Sequence, residues 1–237
     1  MSGHSKWNSI KRQKGAADQK RSKVFTKLGK AISVAAREGG SDVEMNFKLR
    51  LAISKAKGAN MPKDTIEKAI SRGTGEGSDA VFEEIIYEGF GPEKAGVIIE
   101  VLTDNRNRAV SEIKHALSKH GGSLGASGAV MWQFDHRGII LSEQKELTEK
   151  IESALLESGA LDYIISEDGI EIITAPEELD MVRKKIESVI PIVSAELAYV
   201  PKETKKPNNL EMWNRFVDAL DDLDDVNNFY CTMEYDE

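Results

Sequence analysis

Before about residue 80 the apolar residues of this chain recur at three- and four-residue steps. Beyond it, two-residue strand patterns alternate with helical ones. That switch of period restricts the fold to a helical unit followed by mixed α and β structure. Val24, Phe25, Leu28, Ala31, Ile32 and Ala35 mark the inner face of a helix over about residues 17–38, which Gly39-Gly40 ends. A second helix is predicted from near Asp42, with Met45, Leu49, Ile53 and Ala56 inward and Gly58 as its stop. A third follows Asn60-Met61-Pro62, with Ile66, Ala69 and Ile70 inward and acids near its positive end.

The Gly-rich stretch Arg72–Asp79 has no strand before it and no Gly-Lys-Ser/Thr after it, so it reads as a linker rather than a phosphate loop. Two strands follow, EEIIYEGFGP and AGVIIEVLTD, then a helix over 106–120 and a third strand, GAVMWQFD. From His136 the order strand, helix, two strands turning at Asp168-Gly169, helix 176–189 and strand IVSAELAYVP is βαββαβ, the ferredoxin-like arrangement. A helix over 209–222 and the strand NFYCTME remain. The expected class is α+β: an N-terminal three-helix domain, then two α/β (ferredoxin-like) domains, the third inserted into the second. The boundaries expected are 1–78 for the helical domain, 79–135 plus 206–237 for the middle domain, and 136–205 for the inserted one.

Charge is distributed as unevenly as hydropathy. Residues 1–75 hold 17 Lys and Arg against 6 Asp and Glu, a surplus of eleven. With a formal net charge of −8, the remainder carries nineteen net negative charges. A basic head on an acidic body offers a local surface to a polyanion. Candidate contacts are Lys6, Trp7, Lys11, Arg12, Lys14, Lys20, Arg21, Lys23, Lys27 and Lys30, with Trp7 suited to stacking on a base. Lys20, Lys23, Lys27 and Lys30 fall within roughly 80° of arc on the helix. The plainer reading of such a stripe is a solvated helix face.

Arg106 and Arg108, at a strand end and helix start, suit bidentate phosphate contacts; the plainer reading is helix capping with an arginine–acid pair. Gly121, Gly122, Gly125 and Gly128 lie in a flexible loop whose bare backbone can come close to RNA or peptide, or stop the helix and begin a strand. The run 218-DALDDLDD-225 reads as a solvated acidic face, with phosphate mimicry or cation binding as the alternative.

The four histidines show no metal-ligand spacing, and no hydrolase, kinase or dinucleotide signature occurs, so neither a catalytic residue nor a metal or other cofactor is expected. The single Cys231 allows no internal disulfide, favours a reducing compartment and reads as a buried small hydrophobe. No apolar run suits a secretory signal or a membrane span.

The blocks GHSKWNSIKRQKGAADQKRSKVFTKL, NMPKDTIEKAI, EGFGP, LTDNRNRAVSEIKHALSKHGGSLG and LDDLDDVNNFYCTMEYD, in that order, resemble the YebC/PmpR family. That family includes the mitochondrial translational activator of cytochrome c oxidase subunit I. Glu93-Lys94 and Ala126-Ser127 depart from its usual loop residues. The resemblance implies three domains around an acidic cleft. It implies either a DNA-binding transcriptional regulator or a ribosome-associated translation factor that eases peptide-bond formation at proline runs. The expectation is a non-enzymatic, cytoplasmic RNA-binding translation factor with large-subunit ribosomal RNA as its partner and tRNA or nascent peptide nearby. Duplex DNA is the alternative partner, a membrane is not expected, and the chain would be a monomer or weak homodimer.

Overall fold

The computed structural model describes residues 18–75 and 81–234. Among them, helices α1 (Asp18–Gly39), α2 (Phe47–Gly58) and α3 (Lys63–Gly73) come first. Leu28, Ile32, Ala35, Leu49, Ile53, Ala56, Ile66 and Ala69 share one core, as their spacing predicts. Met45 does not join it and is 83% exposed. The reason is Asn46, which caps α2 instead of Asp42. Its side chain accepts from the Leu49 N–H and donates to the Ala35 and Gly40 carbonyls, each at 2.7 Å, fastening the α1–α2 corner. Gly39 packs directly under that side chain, where a Cβ would lie 2.6 Å from the Asn46 amide nitrogen.

Strands β1 (Glu83–Phe90) and β2 (Gly96–Thr103) form an antiparallel hairpin. Then come α4 (Arg106–Lys119), a short β3 (Ser123–Leu124), β4 (Phe134–Ser142), α5 (Glu149–Ser158), β5 (Asp162–Ser166), β6 (Gly169–Thr174), α6 (Leu179–Ile186), β7 (Ser194–Pro201), α7 (Leu210–Asp221) and β8 (Val226–Cys231). The sheets are β3-β1-β2-β8 and β5-β6-β4-β7, antiparallel throughout. The second has the ferredoxin-like strand order. The first opens with a hairpin and ends with β8, which pairs with β2 across more than a hundred residues of chain.

Alternation along the central strands explains the layers. Val97, Ile99 and Val101 of β2 turn to α4 and α7, meeting Ile113, Leu117, Trp213, Phe216 and Leu220. Ile98 turns the other way and joins Ile139, Leu141, Ala198 and Tyr230 between the two sheets. Ile140 of β4, with Ile170 and Ile172 of β6, faces α5 and α6. The body is thus helices, sheet, sheet, helices. The helical unit rests against it through Phe47 and Leu51 of α2 and through contacts of α1 with β2 and β8.

One strand expected from the sequence is absent as such. GAVMWQFD is a turn and a 3₁₀ turn over 131–133, and β4 begins only at Phe134, running on without a break through the segment HRGIILS.

Candidate nucleic-acid interface

Helix α1 carries the described part of the basic head. Lys6, Trp7, Lys11, Arg12 and Lys14 lie outside the described residues, and Lys20 falls in the first turn of α1. From the second turn on, three ammonium groups at three- and four-residue spacing meet the end of α7. Lys23 Nζ donates to Asp222 Oδ1 at 3.0 Å and to the Asp222 carbonyl at 3.3 Å. Lys27 Nζ donates to the Asp221 carbonyl at 2.7 Å. Lys30 Nζ donates to the Asp224 carbonyl at 3.0 Å and to Asp225 Oδ1 at 2.7 Å. The last carbonyls of α7 lack intrahelical donors and carry the negative end of its dipole, so lysines are apt partners there. Burial pushes the Lys27 ammonium below its usual range, against the opposing pull of Asp221 and Asp224.

Asp225 is the innermost member of this row and is 3% exposed. Its Oδ2 accepts from Thr103 Oγ1 at 2.9 Å and from Arg108 Nη2 at 2.8 Å, and its carbonyl accepts from the Leu102 N–H. Burial alone would raise its pKa, but Lys30, Arg108 and Thr103 outweigh that and hold it below the usual carboxylate value. Asp218, Asp221, Asp222 and Asp224 remain on an exposed face, as the plainer reading has it, and Asp225 alone is buried. The lysines of a helix almost two hundred residues away meet this segment through the carboxylates of Asp222 and Asp225 and the carbonyls of Asp221, Asp222 and Asp224.

Arg106 and Arg108 also meet carboxylates within the molecule. Asn105 caps α4 by accepting from the Arg108 N–H. Arg106 grips Glu83 through Nε and Nη2, both at 2.5 Å, and Arg108 also pairs with Asp104 at 2.9 Å. In this structure the anions they meet are carboxylates, which is the capping arrangement. Helix α2 repeats the pattern, with Lys48 between Glu38 and Glu84, Arg50 on Asp180 and Lys55 on Glu196. Part of the charge contrast between head and body is thus complementarity within one molecule.

The glycine loop is hydrogen-bonded to the elements on either side of it. Gly121 (φ +78°) and Gly122 close α4, the Gly122 N–H returning to the Leu117 carbonyl, and β3 pairs with Gly89 and Phe90. A Cβ at Gly122 would lie 2.2 Å from the Phe90 carbonyl oxygen, and one at Gly125 would meet Ala129, so both face inward. Gly121 and Gly128 border open space. Buried Glu88 organises the loop's far end, accepting from the N–H groups of Gly128 (2.6 Å), Val130 (2.8 Å) and Met131 (2.8 Å). Burial would raise its pKa, but those three amides bring it down.

Cys231 is buried, and burial pushes its thiol up to about 12, so it stays neutral in the fold. Among the described residues no group of three or more His, Cys, Asp or Glu side chains is placed to hold a metal ion. No helix among them is long and apolar enough to cross a membrane.

Two family models cover nearly the whole chain. The TACO1/YebC protein N-terminal domain matches residues 5–76, and the TACO1/YebC second and third domain matches residues 82–233. The chain belongs to the TACO1/YebC family. A relative from Pelotomaculum thermopropionicum is 47% identical, with both chains fully covered, and one from Thermotoga maritima is 44% identical over all of this chain and 95% of its own. Both carry the name "Probable transcriptional regulatory protein". A crystal structure of the conserved hypothetical protein Aq1575 from Aquifex aeolicus superposes with a TM-score of 0.82 at 40% identity, covering 94% of each chain.

Glu88 and the aspartates at 221, 222, 224 and 225 are the residues of this region whose parts the sequence did not disclose. The only sign of the latter was that an acidic run closes a helix, where a cation is the natural neighbour.

Proposed function

We propose that this member of the TACO1/YebC family is a non-enzymatic nucleic-acid-binding regulator. It acts in the cytoplasm on translation, contacting large-subunit ribosomal RNA and easing peptide-bond formation at sequences such as proline runs. The observation that carries the reading is the lysine row of α1. Lys23, Lys27 and Lys30, spread over about 10 Å of helix, meet oxygens of carbonyls and carboxylates, with Lys30 also lying over the Phe82 ring, 5.5 Å from its centroid. Such a row suits a backbone of phosphate oxygens, and it continues the basic segment Lys6–Lys14. Contact with phosphates positions a protein on folded RNA without reading a base sequence.

The names of the relatives favour a second reading, a DNA-binding regulator of transcription. Against it, the arginines that open α4 are held by Glu83 and Asp225 rather than offered to base edges.

Sedimentation of the protein with ribosomes through a sucrose gradient, beside its binding to a panel of duplex promoters at matched salt, separates the two. Cosedimentation without strong preference for any duplex supports the translation reading. A preference of about 10³-fold or more for one operator over random DNA, with no ribosome association, replaces it with the transcriptional one.

A further inference from the structure

Residues 221–225 offer the α1 lysines five oxygens: the carbonyls of Asp221, Asp222 and Asp224 and one carboxylate oxygen each of Asp222 and Asp225. Oxygens in a row, some of them charged, are what a nucleic-acid backbone offers the same ammonium groups. We propose that the segment 221–225 is an internal phosphate mimic that occupies the nucleic-acid surface of α1, and that an RNA backbone displaces its outer part on binding.

The proposal rests on the functional reading above and adds regulation to it. The contact is graded in a way that permits partial release. At its inner end Lys30 and Asp225 are both largely shielded, their side chains 12% and 4% exposed. Asp225 is further tied to Thr103 and Arg108, so this end is an anchor. At its outer end Lys23 and Asp222 are 45% and 70% exposed, in the range where ion pairs are weak and screened by salt. Lys27 lies between, bonded to a carbonyl rather than to a carboxylate. An incoming phosphate backbone can exchange with the outer oxygens while Lys30 stays on Asp225. The free energy of releasing them is then subtracted from every binding event, so measured affinity is lower than the exposed row alone would give. Nucleic acids too weak or too short to replace several oxygens at once would be rejected.

The test uses the full chain and a fluorescent single-stranded RNA 30-mer without terminal phosphates. Asp221→Asn, Asp222→Asn and Asp224→Asn are combined, leaving Asp225 in place. The control, Glu149→Gln, Glu157→Gln and Glu177→Gln in the second α/β unit, makes the same change in net charge. The clamp variant is expected to bind about tenfold more tightly than the wild type and the control less than about twofold more tightly, since only the first removes carboxylate charge from beside Lys23 and Lys27, the backbone carbonyls staying in place. A second readout does not depend on any variant. A zero-length carbodiimide can join Lys23 Nζ to the Asp222 carboxylate, which are 3.0 Å apart in the free protein, and saturating RNA should suppress that cross-link. If RNA binds but leaves the cross-link yield unchanged, and the clamp variant matches the control, the mimic is overturned while the functional reading stands. If neither the wild type nor any variant binds RNA, the functional reading falls and takes the mimic with it.

Discussion

Lys30 Nζ lies 2.7 Å from Asp225 Oδ1, joining the first described helix to the turn before the last strand across 195 residues of chain. Thr103 and Arg108 hold the other carboxylate oxygen, so Asp225 gathers α1, the end of β2 and the start of α4 at one point. The basic head and the acidic body meet there at a largely shielded ion pair.

Removing that carboxylate strands Lys30 in a site built for its charge. Asp225→Ala is expected to destabilise the fold by about 2–3 kcal/mol. That is below the full cost of breaking a buried pair, because Arg108 can turn to water. Lys23→Ala, at the exposed end of the same row, is expected to cost no more than about 0.5 kcal/mol. Urea unfolding of both variants checks the gradient, and equal losses would contradict it.

Acid should act through the same residues. Asp225 and Glu88 are both held below the usual carboxylate pKa in the fold. The stability they contribute is therefore fully present above the ordinary value of about 4 and lost as pH falls through their lower folded values. The melting temperature of the wild type should decline below about pH 5. Asp225→Asn and Glu88→Gln should begin lower and decline less steeply. Variants that parallel the wild-type curve would remove these two groups from the acid response.

Glu88→Gln also tests the loop. An amide oxygen accepts more weakly than a carboxylate, and the new NH₂ would face the amides of Gly128, Val130 and Met131. A loss of about 1–3 kcal/mol is expected. Hydrogen exchange should quicken selectively at Val130 and Met131, while the Leu117–Gly122 helix stop stays protected. Uniform quickening across the first sheet would mean that Glu88 supports the whole unit rather than the loop.

The sequence disclosed what depends on near neighbours. Leu49, Ile53 and Ala56 fall on one helical face, and the βαββαβ order expected over residues 136–205 follows from period and turn residues alone. It misplaced Met45 because Asn46, reaching back to Ala35 and Gly40, decides where α2 begins. The alternation in GAVMWQFD suggests a strand, but Glu88 takes the amides a strand would have used. The acidic run is solvated except at Asp225, and no local pattern encodes its pairing with lysines 194–199 positions away. Arg106 and Arg108 show the same limit, since a guanidinium suits a carboxylate as well as a phosphate.

On the proposed function the basic head binds nucleic acid in translation. The most direct measurement is ribosome cosedimentation of Lys11→Glu, Arg12→Glu and Lys14→Glu combined, with rescue of a reporter stalled at consecutive prolines followed in parallel. The control reverses Lys114, Lys145 and Lys150, which are exposed in the α/β body. Both triple variants change net charge equally, and the head segment is poor in apolar residues, so both are expected to melt close to the wild type. The head variant should lose ribosome association and rescue, because three attractions to phosphate become three repulsions. The control should keep most of both. A head variant that still cosediments and rescues, beside a control that does neither, would contradict the claim and move the working surface to the body.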